Sequence, residues 1–293
     1  MGVRITHMNS VFNRADSYSD TVISLATSAL TPILQNGAPK HFSHVVVPTT
    51  CPDTLAPTLG QSLNHFFYPR FANAHVLDLV QGCAGGLSAM VLATQLCELN
   101  KNNVAVVLAD AARQSVSEDN NLRQFFGNGA FSCVVEHTDG PQRLIHHRTK
   151  QYKNLSELVV VRLGHSTHLE IKDKEKKILQ GPLDHLGLQM NPILAVKLLR
   201  HAEEFYREFL AECNVKPDVM IFHQVNPDIL NILEGVFSKY SEKFINLGER
   251  IGNCGAASFA IAMDQIKETL PGKKVFLCSF GTGGVITAGL WQF

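Results

Sequence analysis

Three residues in this sequence have types and surroundings suited to acyl-transfer chemistry. Cys83 follows an expected strand over 76–80 and opens a run of small residues of helix length, Gly82-Cys83-Ala84-Gly85-Gly86-Leu87-Ser88-Ala89. The unpaired N–H groups and partial positive charge of a helix start favour a thiolate, the reactive form of cysteine. The same position equally suits a buried, inert cysteine, and four of the others, Cys97, Cys133, Cys213 and Cys278, fall inside expected helices or strands. His223 closes the apolar run Asp218-Val219-Met220-Ile221-Phe222, and a side chain at the carboxyl end of a strand can enter a crevice. A histidine there needs a hydrogen-bond partner or a task. Asn253 precedes a second small-residue run, Gly252-Asn253-Cys254-Gly255-Ala256-Ala257-Ser258-Phe259, at the place that Cys83 takes in the first. As a plain helix cap an asparagine would serve there too, and Asn226-Pro227 reads as a cap followed by Pro in the first turn. Together, Cys83, His223 and Asn253 supply a nucleophile and two hydrogen-bond donors, a set suited to thioester chemistry.

The elements that must position these residues occur twice. His44-Val45-Val46-Val47-Pro48-Thr49-Thr50-Cys51-Pro52-Asp53 and the run from Asp218 to Asp228 are both short β-branched strands entering a polar turn that ends in Pro-Asp. Each is followed by one of the small-residue runs, then by an apolar strand (104–108 and 274–278), then by Phe126-Gly127-Asn128-Gly129 or Phe280-Gly281-Thr282-Gly283 and a last strand. Four matched elements in one order predict a duplicated α/β module. The strands are apolar runs without alternation, so both faces of each sheet should be covered. The small-residue runs lack a polar face, which predicts helices buried between the sheets. The segment 193–213 differs: Leu194, Leu198, Phe205 and Phe209 form an apolar stripe opposite Lys197, Arg200, Glu203, Glu204 and Arg207, the pattern of a surface helix. The polar stretch 138–154 marks the passage between halves, here divided as 1–150 and 151–293. The region 164–188 matches nothing in the repeat, and its charge run 172–177 reads as a solvated loop. In two modules set back to back, Cys83 approaches His223 and Asn253 across a pseudo-dyad.

Composition removes several classes. The 293 residues are 45% hydrophobic and 18% charged, enough to bury a large core, and 26 basic side chains balance 26 acidic ones. A sequence-independent nucleic-acid binder needs a surplus of positive charge. Apolar runs such as 104–109 fall far short of the ~20 residues that span a bilayer. The first ten residues lack a signal-peptide pattern, and seven cysteines without regular spacing argue for free thiols in a reducing cytoplasm. His146-His147 and His165-Ser166-Thr167-His168 lack an accompanying cysteine or carboxylate cluster, so no metal site is expected.

The sequence resembles the β-ketoacyl-acyl-carrier-protein synthase III family of the thiolase superfamily. The pieces that carry the resemblance are Val80-Gln81-Gly82-Cys83-Ala84-Gly85-Gly86, His223-Gln224-Val225-Asn226, Ile251-Gly252-Asn253-Cys254-Gly255-Ala256-Ala257-Ser258, Phe126-Gly127-Asn128-Gly129-Ala130 and Phe280-Gly281-Thr282-Gly283, in order along nearly the whole chain. Gly2-Val3-Arg4 and Thr50-Cys51-Pro52-Asp53 also fit. The resemblance implies a five-layered αβαβα fold of two pseudo-symmetric halves, usually dimeric, and an acyltransferase with its acyl group on Cys83. His223 and Asn253 would donate to the thioester carbonyl of a malonyl unit as carbon dioxide leaves, and the backbone N–H groups of Cys83 and Thr282 would form an oxyanion hole. Acyl-coenzyme A or acyl-carrier-protein thioesters are the implied substrates, with no permanently bound cofactor.

Departures from the family pattern qualify this. The chain begins at Gly2-Val3-Arg4, so an opening strand and loop that help grip coenzyme A are expected to be absent. Thr282 stands where glycine is usual, Asn128 where aspartate is usual, and Asp228 where a basic residue commonly docks the carrier protein; Leu290-Trp291-Gln292-Phe293 replaces a tryptophan-glycine pair. Fatty-acid initiation and a specialised secondary-metabolite or polyketide condensation both fit. Two alternatives use the same residues differently: acyl transfer to an alcohol or amine without decarboxylation, and a non-catalytic subunit that pairs with an active paralogue.

Overall fold

The two halves of the sequence build one sheet pattern twice. The computed structural model describes residues 2–15, 20–116, 120–155, 159–160, 189–190 and 194–293. Strands β1 (Gly2–Asn13), β2 (His44–Pro48), β3 (His75–Leu79), β4 (Val104–Asp110) and β5 (Asn128–Thr138) form a sheet in the order β1-β5-β4-β2-β3. The second sheet begins with β6 (Arg143–Gln151); after a small pair, β7 (Val159–Val160) with β8 (Gln189–Met190), it continues with β9 (Val219–Phe222), β10 (Lys243–Ile245), β11 (Lys274–Gly281) and β12 (Val285–Gln292). Its order, β10-β9-β11-β12-β6, is the first sheet's order read from the other edge, strand for strand. The senses agree as well: β2 is parallel to β3 and β4 as β9 is to β10 and β11, and the remaining pairs are antiparallel.

This correspondence corrects one expectation. β1 takes in the first sheet the place that β6 takes in the second, so the position of the first strand is filled. What differs between the halves is the following connection, residues 14–21 after β1 against 152–193 after β6. The chain passes from one sheet to the other in the turn 139–142, inside the polar stretch 138–154, so β6 belongs to the second sheet although all but its last residue lie before 151. The expected loop 164–188, its charge run and the pair His165 and His168 lie outside the described residues.

Among the described residues, seven helices supply the other layers. α1 (Val22–Gln35) and α2 (Leu59–Phe66) cover the outer face of the first sheet, and α4 (Leu194–Cys213) and α5 (Pro227–Phe237) that of the second. α3 (Gly85–Asn100) and α7 (Ser258–Asp264) fill the space between the sheets, and α6 (Gly248–Ile251) is a single turn leading to α7. β4 shows why its sequence is an unbroken apolar run: Val104, Val106 and Leu108 join the central core, while Ala105, Val107 and Ala109 pack beneath α1. β11 divides likewise, with Val275 and Leu277 facing inward and Phe276, Cys278 and Phe280 facing α4 and α5. Full burial of each such valine, leucine or phenylalanine contributes on the order of 1.5–3 kcal/mol.

Residues 82–100, a 3-10 turn continuing into α3, meet the length and hydropathy of a membrane span, but α3 packs against strands of both sheets and is a core helix. The two small-residue segments touch there, and a Cβ on Gly86 would overlap the Ala256 carbonyl oxygen. Outside, α1 is tied to the first loop by Asp53, whose carboxylate accepts the free N–H groups of Val22 and Ile23 at 3.0 and 2.9 Å.

Candidate active site

A 3-10 turn, Gly82–Ala84, links β3 to α3 and holds Cys83. Gly82 has φ +55°, and a Cβ there would overlap the Thr282 hydroxyl, so glycine is required on both counts. The Cys83 carbonyl accepts from the Ser279 hydroxyl of β11 at 2.9 Å. The nucleophile's backbone is therefore anchored by the other half of the molecule.

His223 lies just past β9 and is 1% exposed. Its Nδ1 is 3.2 Å from the Phe280 carbonyl oxygen and its Nε2 is 2.9 Å from Asn253 Oδ1. The Phe280 carbonyl can only accept, which places a proton on Nδ1. Asn253 Oδ1 is fixed as an acceptor because the Gly255 N–H donates to it at 3.0 Å. A proton arriving on His223 Nε2 thus finds an acceptor in place, and the Asn253 amide nitrogen, with no partner among the described residues, is the end left for substrate. Burial pushes the imidazole pKa down, opposed by the hydrogen bonds to Asn253 and Phe280. The resting ring is neutral near pH 7.

The two Phe-Gly-x-Gly elements hold these groups from opposite sides. Asn253 donates its N–H to the Phe125 carbonyl at 2.8 Å and accepts at its own carbonyl from the Gly127 N–H at 3.1 Å, a bridge between the halves. Phe280 holds His223, and a Cβ on Gly281 would come within 2.7 Å of the Ala84 side chain. The first tetrapeptide thus positions a residue of the other half, while the second positions His223 of its own half and packs against the turn that holds Cys83. Asn128 accepts from the Arg113 and Gln114 N–H groups at 3.1 and 3.4 Å, a role that an amide oxygen fills without charge.

Cys83, His223, Asn253 and Thr282 all line one cavity of about 390 Å³. Its wall is mostly apolar, including Leu55, Val80, Val116, Phe126 and Ile229, and none of its described lining residues is charged at pH 7. Asn226 also reaches the cavity while its side chain caps α5 through the Asp228 N–H at 2.7 Å, and Asp228 is exposed outside. Burial pushes the Cys83 thiol up to about 12, with the nearby Asp110 adding to the shift. This corrects the expectation of a stabilised thiolate: the apolar cavity outweighs the helix start, and Cys83 rests as a thiol.

Three contributors were not foreseen. Ser279 and the Phe280 carbonyl act through hydrogen bonds that residue type alone does not reveal. Asp110 is a carboxylate at the end of an otherwise apolar strand, a pattern that could have marked it. Cys51 also lines the cavity, 2% exposed, with its thiol 3.3 Å from Asp110. His146 and His147 point to opposite faces of β6, toward Glu212 and Gln95 at 3.0 and 3.2 Å.

A doubled five-stranded α/β unit with helices between the sheets and an apolar, thiol-lined cavity where the halves meet defines a thiolase-superfamily acyltransferase. Residues 77–152 match the family model described as 3-Oxoacyl-[acyl-carrier-protein (ACP)] synthase III, residues 212–293 match that of its C-terminal part, and the chain belongs to this family of condensing enzymes. It is 24% identical over 287 residues to the β-ketoacyl-[acyl-carrier-protein] synthase III of Oenococcus oeni, covering 95% of this chain and 87% of the relative. The corresponding enzyme of Aquifex aeolicus is 25% identical over 294 residues, covering 97% and 88%. The crystal structure of the 3-oxoacyl-[acyl-carrier-protein] synthase III from Aquifex aeolicus has a TM-score of 0.80 at 22% identity and covers 100% of this chain and 98% of its own. OleA of Xanthomonas campestris shares the fold at a TM-score of 0.79 and 14% identity, over 100% and 99% of the two chains.

Proposed function

We propose that this enzyme loads an acyl group onto Cys83 and condenses it with a malonyl-type thioester, with loss of carbon dioxide. The single observation that carries the reading is the junction of Cys83, His223 and Asn253 in one apolar cavity, with the Asn253 amide oxygen already engaged and its nitrogen free to donate. In loading, Cys83 Sγ attacks the carbonyl carbon of the incoming thioester, its proton passes to His223 Nε2 and stays there, and the departing thiolate takes a proton from solvent. The Cys83 and Thr282 N–H groups receive the charge that develops on the carbonyl oxygen. In condensation, the His223 Nε2–H, carrying the proton taken from Cys83 during loading, and the Asn253 amide N–H donate to the malonyl thioester oxygen. The carboxylate leaves as carbon dioxide, and the electron pair it leaves behind forms the bond to the acyl-Cys83 carbonyl carbon. Cys83 then departs as the thiolate and is reprotonated by His223 Nε2, which returns the ring to its neutral form.

Acyl-coenzyme A and acyl-carrier-protein thioesters are the proposed substrates, consistent with the names of the β-ketoacyl-[acyl-carrier-protein] synthase III relatives. We place the protein in the cytoplasm and propose that two copies pair. β3 is an edge strand, Val80 beside it is 85% exposed, and Leu55 is 61% exposed although both line the cavity. An uncovered strand edge with apolar neighbours is a site for pairing by a second copy.

The deciding experiment separates the two steps. Asn253→Ala should retain acylation of Cys83 and lose malonyl decarboxylation, because only the second step places charge where Asn253 can stabilise it. Equal loss of both steps in a folded variant would overturn the assignment.

A further inference from the structure

We propose that Asp110 is a positioning residue that holds the Asn253 amide in its reactive orientation from the opposite half of the molecule. The inference rests on the condensing reading above, in which Asp110 performs no step. Asp110 ends β4 and is completely buried. Its Oδ1 accepts from the Thr50 N–H at 2.6 Å and the Thr49 hydroxyl at 2.8 Å, with the Cys51 thiol at 3.3 Å. Its Oδ2 accepts from the Ala256 N–H at 2.6 Å. One carboxylate thus grips the loop after β2 in the first half and the turn before α7 in the second.

A buried carboxylate is costly unless every lone pair facing a donor is used, and donors arrive on both oxygens here. The consequence for the site is local. Ala256 is the residue after Gly255, and the Gly255 N–H is the donor that fixes Asn253 Oδ1. Pinning the Ala256 N–H sets the plane of the peptide joining 255 to 256, and with it the turn that aims the Gly255 N–H. That turn keeps the amide oxygen of Asn253 toward His223 and leaves its nitrogen for substrate. Gly255 stands at φ +54°, and a Cβ there would overlap Asp110 Oδ2, so the close approach of carboxylate and backbone requires glycine at this position.

The role of Asp110 belongs to the step that uses Asn253, which makes it separable from a general structural one. Asp110→Asn offers one acceptor and two donors to a ring of donors, so one of the two grips must fail. Thr49→Val removes a single hydroxyl at nearly constant volume, and Thr49→Ser restores it. The measurements are thermal unfolding, acylation of Cys83 by intact-protein mass spectrometry, and release of carbon dioxide from malonyl-coenzyme A.

Displacement of a catalytic donor by about 1 Å is worth about 100-fold in rate. Asp110→Asn should therefore lose about that much of its decarboxylation rate in kcat while acylation falls by no more than about threefold. Thr49→Val should show the same division at about tenfold, and Thr49→Ser should recover it. Parallel loss of both steps in Thr49→Val, or wild-type decarboxylation in Asp110→Asn, would overturn the proposal. A wild-type enzyme that acylates Cys83 yet leaves malonyl-coenzyme A intact would instead overturn the condensing reading. In that event the crystal structure of Asp110→Asn decides the positioning: departure of Asn253 Oδ1 from the Gly255 N–H and His223 supports it, and retention of both contacts defeats it.

Discussion

The Gly127 N–H donates to the Asn253 carbonyl across the line between the halves, at 3.1 Å. A side chain at Gly127 would break this contact, because a Cβ there would stand 2.5 Å from the Ile251 carbonyl oxygen and 3.0 Å from Cys254 Sγ. Gly127→Ala should cost about 1–3 kcal/mol of stability through overpacking and depress decarboxylation more than Cys83 loading. Gly235→Ala is the control: nothing described lies within 4 Å of its Cβ, its φ is not positive, and in the last turn of α5 alanine should stabilise by up to about 0.5–1 kcal/mol. Thermal unfolding of the two variants reads opposite shifts, and equal shifts would contradict the packing argument.

The half-buried Cys83 thiol and the buried His223 imidazole set the pH response. With its thiol near 12, Cys83 should be alkylated by iodoacetamide at a rate that climbs about tenfold per pH unit through pH 10, with no plateau. A plateau near neutral pH would show a resting thiolate. His223 has a folded pKa below its unfolded value of about 6.5, so in the window between them the unfolded chain binds more protons. Its contribution to stability is therefore present above about pH 6.5 and is lost as pH falls toward the folded value. Acylation should persist to pH values below 6.5 before the protonated ring stops accepting the Cys83 proton. His223→Gln should abolish this dependence in denaturant midpoints measured from pH 5 to 7.

Pairing through β3 predicts a mass of two chains in sedimentation at micromolar concentration. Introducing a charge at Val80, as Val80→Lys, should favour single chains because it places a charged side chain at the proposed contact. A single-chain mass for the unaltered protein would remove the β3 interface, and a stable complex with a longer paralogue would favour the partner-subunit reading.

The carrier should matter little at the mouth. The described cavity lining carries no charged residue at pH 7, and the charges on α5 outside it, Asp228 and Glu234, are both acidic. We expect kcat/KM for an acyl-pantetheine within about tenfold of that for the same acyl-coenzyme A, since the phosphates meet no described cation in the cavity. Asp228→Arg should raise kcat/KM for an acidic carrier protein by about fivefold at low salt, and less at 0.5 M salt. A strong preference for coenzyme A would place its recognition outside the described lining.

How far these features could be read from sequence follows from particular residues. The repeat was legible because Gly86 and the Ala256 backbone must touch, which demands small residues in both halves. The meeting of Cys83, His223 and Asn253 followed from that symmetry and from the motifs around them. β6 was hidden because it is an edge strand whose Arg148 and Lys150 pair with Glu208 of α4, so its residues read as a solvated stretch. β1 was hidden by its polar residues and by the resemblance of Gly2-Val3-Arg4 to a later family segment. The protonation of Cys83 was misjudged because its place at a helix start is local, whereas the apolar wall around it comes from segments far apart in the chain. Asp110 escaped notice because its partners Thr49, Thr50 and Ala256 come together only in the folded protein.

The most direct test of the account is intact-protein mass spectrometry of the enzyme after incubation with acyl-coenzyme A thioesters of increasing chain length, followed by malonyl-coenzyme A or malonyl-carrier protein. The account predicts that at least one acyl group adds a single mass increment located on Cys83, that Cys83→Ala acquires none, and that the malonyl thioester discharges it with release of carbon dioxide and a β-ketoacyl product. An increment that survives Cys83→Ala, or an acyl-Cys83 that the malonyl thioesters leave in place, would contradict it.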